Sequence, residues 1–417
     1  MKKLKEKAIG YLEQHSQKFI DLGNKLFRTP ELGFREHKTS QLVEDFFKEL
    51  GLKTEKYALT GVKSRFQGKN SYASVGVLGE LDAIYCPEHP LADKETGAAH
   101  ACGHHMQLVA VLAAAEALVK SGVGSQLDGD MIFFAVPAEE HLEFNFRNHL
   151  LETRQVEFSS GKQEMLRLGC FDDVDMALTT HALSRDNEHQ AEAILCVSCN
   201  GYEINRFRFI GQGGHAGLNP SRCVNALNAA ILSINGIQFL RDTFPEGDNI
   251  RVSFILTEAG KVLNIVPEEA VLEVQIRGRT IKAIKNVREK IIRAAQGGAN
   301  TIGCKLEIER IPGYKPYESD PLLNKVYTLN AERVLVNQKV KHQEHGYQCT
   351  DLGDLSQKLP ISQLCLGGFA GDLHSKDFRV IDEYAAYIIP AQIICATVCD
   401  LLVNGAELAK AVGKRLI

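Results

Sequence analysis

The chain has 417 residues, 44% hydrophobic and 24% charged, with 48 basic and 52 acidic side chains for a net charge of -4. This composition excludes disordered, collagen-like and coiled-coil proteins, and the near balance of charge offers neither a global field for nucleic acid nor a polybasic membrane patch. Single cores stop growing at roughly 250 to 300 residues, so the length implies two domains, and eleven cysteines, an odd number, do not read as a secreted disulfide framework.

The N-terminal stretch MKKLKEKAIGYLEQHSQKF lacks an apolar core of signal-peptide length and predicts an amphipathic helix from about Lys2 to Phe27, ended by Pro30. A second helix is expected from near Ser40 to Gly51. The longest apolar run, Leu108 to Val119, contains Glu116 and falls short of the ~20 residues of a membrane span. A cytoplasmic protein with reduced thiols and no membrane partner is therefore expected.

Four short apolar runs of buried-strand length follow: Ser74 to Leu81, Met131 to Val136, Asp175 to Thr180 and Ile361 to Leu366. Helical stretches near Met106 to Lys120, Gln163 to Leu168 and Tyr384 to Leu402 separate or follow them. Strands alternating with helices predict an α/β fold whose largely parallel sheet carries helices on both faces. Between them the pattern changes. Strands at Gly201 to Ile210, Ile250 to Leu256, Ala270 to Arg277 and Lys305 to Ile311, with helices at Ser221 to Leu240 and Ile281 to Ala295, give the order βαββαβ of a ferredoxin-like unit. This predicts a domain of residues 191–312 inserted into one formed by 1–190 and 313–417, with linkers near His189 and Pro312.

Ligand sites of open α/β sheets lie beyond the carboxyl ends of the strands. After the first strand come Glu80 and Asp82, after the second Glu139 and Glu140, after the third His181, and after the fourth a Gly-rich loop and His374. The segment His100-Ala-Cys102-Gly-His104-His105 opens the helix near Met106. Separate elements thus bring a thiol, imidazoles and carboxylates to one sheet edge, the donor types of zinc-like divalent ions. In Cys102-Gly-His104 the glycine lets both neighbours face one point, and a thiolate can bridge two ions. Adjacent Glu139 and Glu140 point to opposite sides, which allows one to bind metal while the other acts as a base.

Other motifs carry plainer readings. Cys196-Val-Ser-Cys199 lies near a strand rather than opening a helix, so its redox spacing is coincidental. The other cysteines read as small buried hydrophobes, and His141 and His149 as members of a solvated loop. The run Gly211-Gln-Gly213-Gly214-His215-Ala-Gly217 lacks the Lys-Ser/Thr of a phosphate loop.

The stretches RTPELGFREHKTS (Arg28 to Ser40), GELDA, HACGHH, VPAEE, the THA around His181, GGHAGLNP with Asn225-Ala-Leu, KVLNIVPEEA with Arg277 downstream, and GDLHSKDF around His374 run nearly end to end. In this order they resemble the dinuclear-metal peptidases and amidohydrolases that include aminoacylase, carboxypeptidase G, hippurate hydrolase, the indole-acetyl-amino-acid hydrolases and the aminobenzoyl-glutamate hydrolases. The resemblance implies a zinc-peptidase-like, phosphorylase/hydrolase-like α/β domain interrupted by a ferredoxin-like lid, with homodimerisation through the lid. It also implies Cys102, His104, Glu140, His181 and His374 as ligands of two divalent ions, zinc ahead of manganese because a thiolate is among them.

By the same resemblance Glu139 is the general base, Asp82 orients a ligand imidazole, His215 of the partner subunit stabilises the oxyanion, and Asn264 and Arg277 grip the substrate. Many relatives have a ligand histidine where Glu80 stands, which places the chain in the cysteine-containing amidohydrolase branch. His105 departs from the Asp or Asn usual after CGH, and Thr350 to Asp354 (TDLGD) resembles the aminobenzoyl-glutamate subgroup. The implied reaction is hydrolysis of an N-acyl amino acid, an aminobenzoyl-glutamate-like conjugate or a dipeptide by metal-activated water. The alternatives are an inactive metal-binding scaffold of the same fold and a thiol hydrolase using Cys102. The segment from Glu140 to Gly169 is longer than a usual connection and has no explanation in the sequence.

Overall fold

Four strands, Asp130–Val136, Ser74–Glu80, Met176–Arg185 and Ile361–Ala370, lie side by side in that order and run parallel in a computed structural model that describes residues 2–185, 193–336 and 338–413. Every residue of the first two is buried, which is why they read as continuous apolar runs rather than alternating ones. Outside them, Gly61–Phe66 and Thr54–Tyr57 add antiparallel strands at one edge. At the other, Ala193–Cys196 runs antiparallel to Ile361–Ala370 and is followed by Lys341–Gln343, while Arg379–Val380 pairs with the end of Ile361–Ala370. Nine strands form this sheet among the described residues. The outer ones escape sequence reading because they are short and partly polar.

The helix His104–Lys120 is rich in alanine and buried over nearly its whole length. It packs on the strand Ser74–Glu80 and against the helix Ile389–Leu402. The stretch Glu383–Leu402 has the length and hydropathy of a membrane span, a feature the sequence reading overlooked, yet 83% of its apolar window is buried inside the protein. The N-terminal helix expected as one element is two, Lys2–Gln14 and Ser16–Phe27. The break falls at His15, whose ring stacks on Tyr11 and donates from Nδ1 to the Tyr11 carbonyl at 2.9 Å. The next helix starts at His37 rather than Ser40.

The chain divides into two units, one of Met1–Ser198, Glu318–His345 and Asp354–Ile417, the other of Cys199–Tyr317 and Gly346–Gly353. The strand Ala193–Cys196 pairs within the large sheet, beyond the sequence-based boundary at 190, and the segment 346–353 was not expected in the second unit. The linker end expected near His189 lies outside the described residues.

In the second unit the elements Gly201–Ile210, Ala226–Leu240, Arg251–Glu258, Glu269–Gly278, Ile281–Ile302 and Lys305–Pro312 follow the order βαββαβ. Their strands form one antiparallel sheet in the order second, third, first, fourth. Burial alternates along Glu269–Gly278, with Ala270, Leu272, Val274 and Ile276 turned towards the two helices. The helices are capped by side chains: Asn225 accepts from the N–H groups of Leu227 and Asn228, and Thr280 from that of Ala283.

Candidate metal centre

The loop before the helix His104–Lys120 is shaped by Gly103. Its φ of +87° is one that side chains resist, and a Cβ there would stand 2.3 Å from the Ala182 Cβ. Glycine thus lets the loop pass beside the strand Met176–Arg185, which carries His181, with Cys102 and His104 on either side. The second loop arrives from the strand Ile361–Ala370. His374 has φ +64°, and its N–H donates to the Ala101 carbonyl at 2.7 Å, tying it to the residue before Cys102.

Donor atoms converge in three sets, each within 4.8 Å: Cys102, His104 and His181; Cys102, Glu140 and His374; and Glu80, His104 and Glu139. The Cys102 Sγ lies 3.6 Å from His181 Nε2 and 3.1 Å from His374 Nε2, and the last is 2.9 Å from Glu140 Oε1. Ligand atoms around an ion bound at ~2.0 Å stand about 3.3 Å apart, so this spacing suits a zinc-type ion. Cys102 belongs to two sets, placing a shared thiol between two positions.

Surrounding contacts turn these atoms inward. The Nδ1–H of His104 donates to the Asp82 carbonyl at 2.9 Å and lies 3.1 Å from its carboxylate, while that of His181 donates to the Ala182 carbonyl at 3.0 Å. Both rings therefore present Nε2 to the centre. The buried His104 Nε2 and Glu140 Oε1 face only other donor atoms, Glu80 Oε2 at 3.1 Å and His374 Nε2 at 2.9 Å, an arrangement that an ion shared between them would satisfy. The other oxygen of the fully buried Asp82 carboxylate accepts from the Glu140 N–H at 2.9 Å, so one side chain orients both an imidazole and a carboxylate ligand.

Charge follows the same geometry. Burial and the neighbouring Glu140 push the Cys102 thiol well above its ordinary range, so the thiolate needs a cation to form. Burial works against charging His104, but Glu80 and Cys102 outweigh it and hold this imidazole well above its usual value. Burial likewise opposes ionisation of Glu140, and the hydrogen bond and charge of His374 overcome it. His181 is pushed down by burial and by His104.

Three residues important to this arrangement escaped the sequence reading. Glu36, within the RTPELGFREHKTS stretch, is fully buried and accepts from the Ala138 N–H at 2.8 Å and from the Thr60 hydroxyl at 2.6 Å. It thereby holds the turn, with Ala138 at φ +51°, that leads into Glu139 and Glu140. Arg147, on the helix Phe144–Glu152, stacks over the Phe34 ring and donates to the Glu140 carbonyl at 2.8 Å. Lys162, on the helix Gly161–Arg167, is fully buried and pairs with Glu80, which also contacts Gln107. The long segment after Glu140 thus brings two buried cations to the back of the centre, a role with no periodic signal in the sequence.

The remaining candidates are placed as follows. In the second unit, His215 and Asn264 are exposed and adjacent: Gly214–His215 pairs with Ile265–Val266, and the Ala216 N–H donates to the Asn264 carbonyl at 3.0 Å. Arg277 is half-buried on the strand Glu269–Gly278 and donates to the Gln275 side chain at 3.0 Å. His105 is a core residue, fully buried between Phe27, Phe369 and Tyr387, and burial and the nearby His100 push its pKa well down. His141 is half-buried, with a pKa lowered to about 4 by burial and Arg147, whereas His149 is exposed. No disulfide joins any of the eleven cysteines, Cys196 and Cys199 included.

An α/β sheet whose strand ends gather a shared thiol, three imidazoles and paired carboxylates defines a metallohydrolase fold and site. Residues 76–398 match the sequence profile of Peptidase family M20/M25/M40, and the chain belongs to that family. It is 26% identical over 303 residues to the hippurate hydrolase of Campylobacter jejuni, covering 70% of this chain and 72% of the relative. It is 25% identical to the N-acetyldiaminopimelate deacetylase of Pediococcus pentosaceus, covering 86% and 91%. The structure of the Bacillus subtilis YXEP protein, described as a dinuclear metal binding peptidase from the M20 family, shares the fold with a TM-score of 0.75 at 20% identity, covering 94% of this chain and 99% of that one. The protein is accordingly an enzyme of the metal-dependent amidohydrolase class.

Proposed function

We propose that the protein hydrolyses the amide bond joining an acyl group to an amino acid with a free carboxylate, using two divalent ions held by Cys102, His104, Glu140, His181 and His374. The observation that carries this reading is the Cys102 thiol common to two donor sets. The thiolate favours zinc, with manganese the alternative. When bound, such ions lower the pKa of water towards ~7 and polarise the amide carbonyl.

Glu139 takes a proton from the attacking water as the water oxygen bonds to the amide carbon. It returns that proton to nitrogen as the carbon–nitrogen bond breaks. Its half-buried carboxylate near His104 and Glu80, opposite in role to Glu140 beside His374, supports this division of labour. The family resemblance adds a lid formed by the inserted unit, a homodimer made through it, and the partner subunit's His215 as donor to the oxyanion. The adjacency of His215 and Asn264 on one edge of that unit favours a common substrate role. Arg277 matches a substrate carboxylate in its forked geometry. A reduced Cys102 thiol supports a cytoplasmic location, where thiols stay reduced.

A thiol-hydrolase reading is disfavoured by the raised pKa of buried Cys102. Metal analysis followed by a hydrolysis screen of N-acyl amino acids, aminobenzoyl-glutamate and dipeptides tests the proposal. Two ions per chain with turnover of an N-acyl amino acid is the expected result. Two ions with hydrolysis of none of these substrates identifies an inert scaffold.

A further inference from the structure

Glu80 ends the strand Ser74–Glu80 and is 3% exposed, and each carboxylate oxygen is held separately. Its Oε1 lies 2.5 Å from the ammonium of Lys162, which is 0% exposed. Its Oε2 accepts from the Gln107 amide at 2.7 Å, while the Gln107 oxygen accepts from the Glu80 N–H at 3.2 Å. The carboxylate has no freedom to turn away.

That fixed Oε2 stands 3.1 Å from His104 Nε2. With the Nδ1–H of His104 committed to Asp82, Nε2 is the ring atom that faces this carboxylate oxygen. His104 is 1% exposed, so both atoms are shielded from water. A separation of 3.1 Å is also that of two donor atoms sharing one ion bound at about 2 Å. Glu80, His104 and Glu139 also form a donor set of their own, so a position for that cation exists beside His104.

We propose that Glu80 is a further ligand of the ion bound at His104, coordinating through Oε2 alone, and that Lys162 is the positioning residue that withholds Oε1. Lys162 also offsets the added negative charge, leaving the centre no more anionic than one built without Glu80. The donor set thus differs from the five residues carried over by resemblance, at the position where many relatives have histidine. This inference rests on the metal-centre reading above.

Cobalt(II) chloride titrated into the metal-stripped full chain tests both. The wild type is expected to take up two ions per chain and to develop thiolate charge-transfer and visible d–d bands. Glu80→Gln should weaken uptake of one ion by about 10- to 100-fold, the range for disturbed metal surroundings, and shift its d–d bands. The ion at Cys102, Glu140 and His374 should keep its affinity. Lys162→Met should shift the same bands, since Glu80 is then free to rotate. The double variant Glu80→Gln/Lys162→Met removes the buried charges together, so a loss of one ion there with an intact thermal transition separates coordination from folding. Two ions bound by Glu80→Gln with wild-type affinity and bands overturn the proposal. A fall in affinity with unchanged bands also overturns it, because Glu80 then merely props the ring. Uptake of no ion by the wild type removes the metal-centre reading itself.

Discussion

The His374 N–H donates to the Ala101 carbonyl at 2.7 Å, so two loops more than 250 residues apart in sequence are fastened one residue from the shared thiol. This bond places the His374 ring against Cys102 and Glu140. Protein contacts hold the centre, through His374 to Ala101, His104 to Asp82, and the Glu140 N–H to Asp82.

Because the thiol is common to two donor sets, Cys102→Ser should lower uptake of both ions, whereas His181→Ala should lower uptake of one. Metal content per chain after dialysis against zinc checks this. Equal losses in the two variants would show that Cys102 serves a single position.

Replacing Glu139 by Gln should leave metal content unchanged and reduce turnover by about 100- to 10,000-fold, the range for a lost general base. Unchanged turnover would remove Glu139 from the proton transfer.

His215→Ala should cut turnover by about 100- to 1000-fold, as losing one oxyanion donor does, with both ions retained. Loss of metal in this variant would instead make His215 a ligand and refute its assignment to the lid.

Gly103→Ala forces a side chain into a φ of +87° and against Ala182. Destabilisation by more than about 1 kcal/mol is expected, together with weaker metal uptake because Cys102 and His104 flank the site. Chemical denaturation of the stripped protein and a zinc titration measure the two effects separately.

Burial first, and then the charge of Asp82, raise the Glu36 carboxyl from 4.5 to about 7. A raised folded-state pKa gives stability that is fully present below pH 4.5 and lost as pH rises through about 7. The shift corresponds to on the order of 3 kcal/mol at most. Glu36→Gln, which keeps an acceptor for the Ala138 N–H, should lack this loss. In chelator, its thermal midpoint should approach that of wild type near pH 4 and exceed it at pH 8. Parallel curves across that range would contradict the raised pKa.

The sequence by itself determined the central strands, the βαββαβ order and the convergence of donors on one sheet edge. Buried parallel strands must be continuously apolar, and chemistry at their ends must interrupt that pattern, so Glu80, Glu139, His181 and His374 stand out wherever an apolar run stops. Alternation along Glu269–Gly278 was visible for the same reason, one face of that strand being buried. Polar strands at the sheet edges, the break at His15 and the roles of Glu36, Arg147 and Lys162 carry no such periodicity. They depend on contacts between distant segments: Lys162 becomes significant only because its helix brings an ammonium 2.5 Å from Glu80. Only the tertiary structure decided which atoms share a position, since a buried charge takes its meaning from its partner and not from its neighbours in sequence.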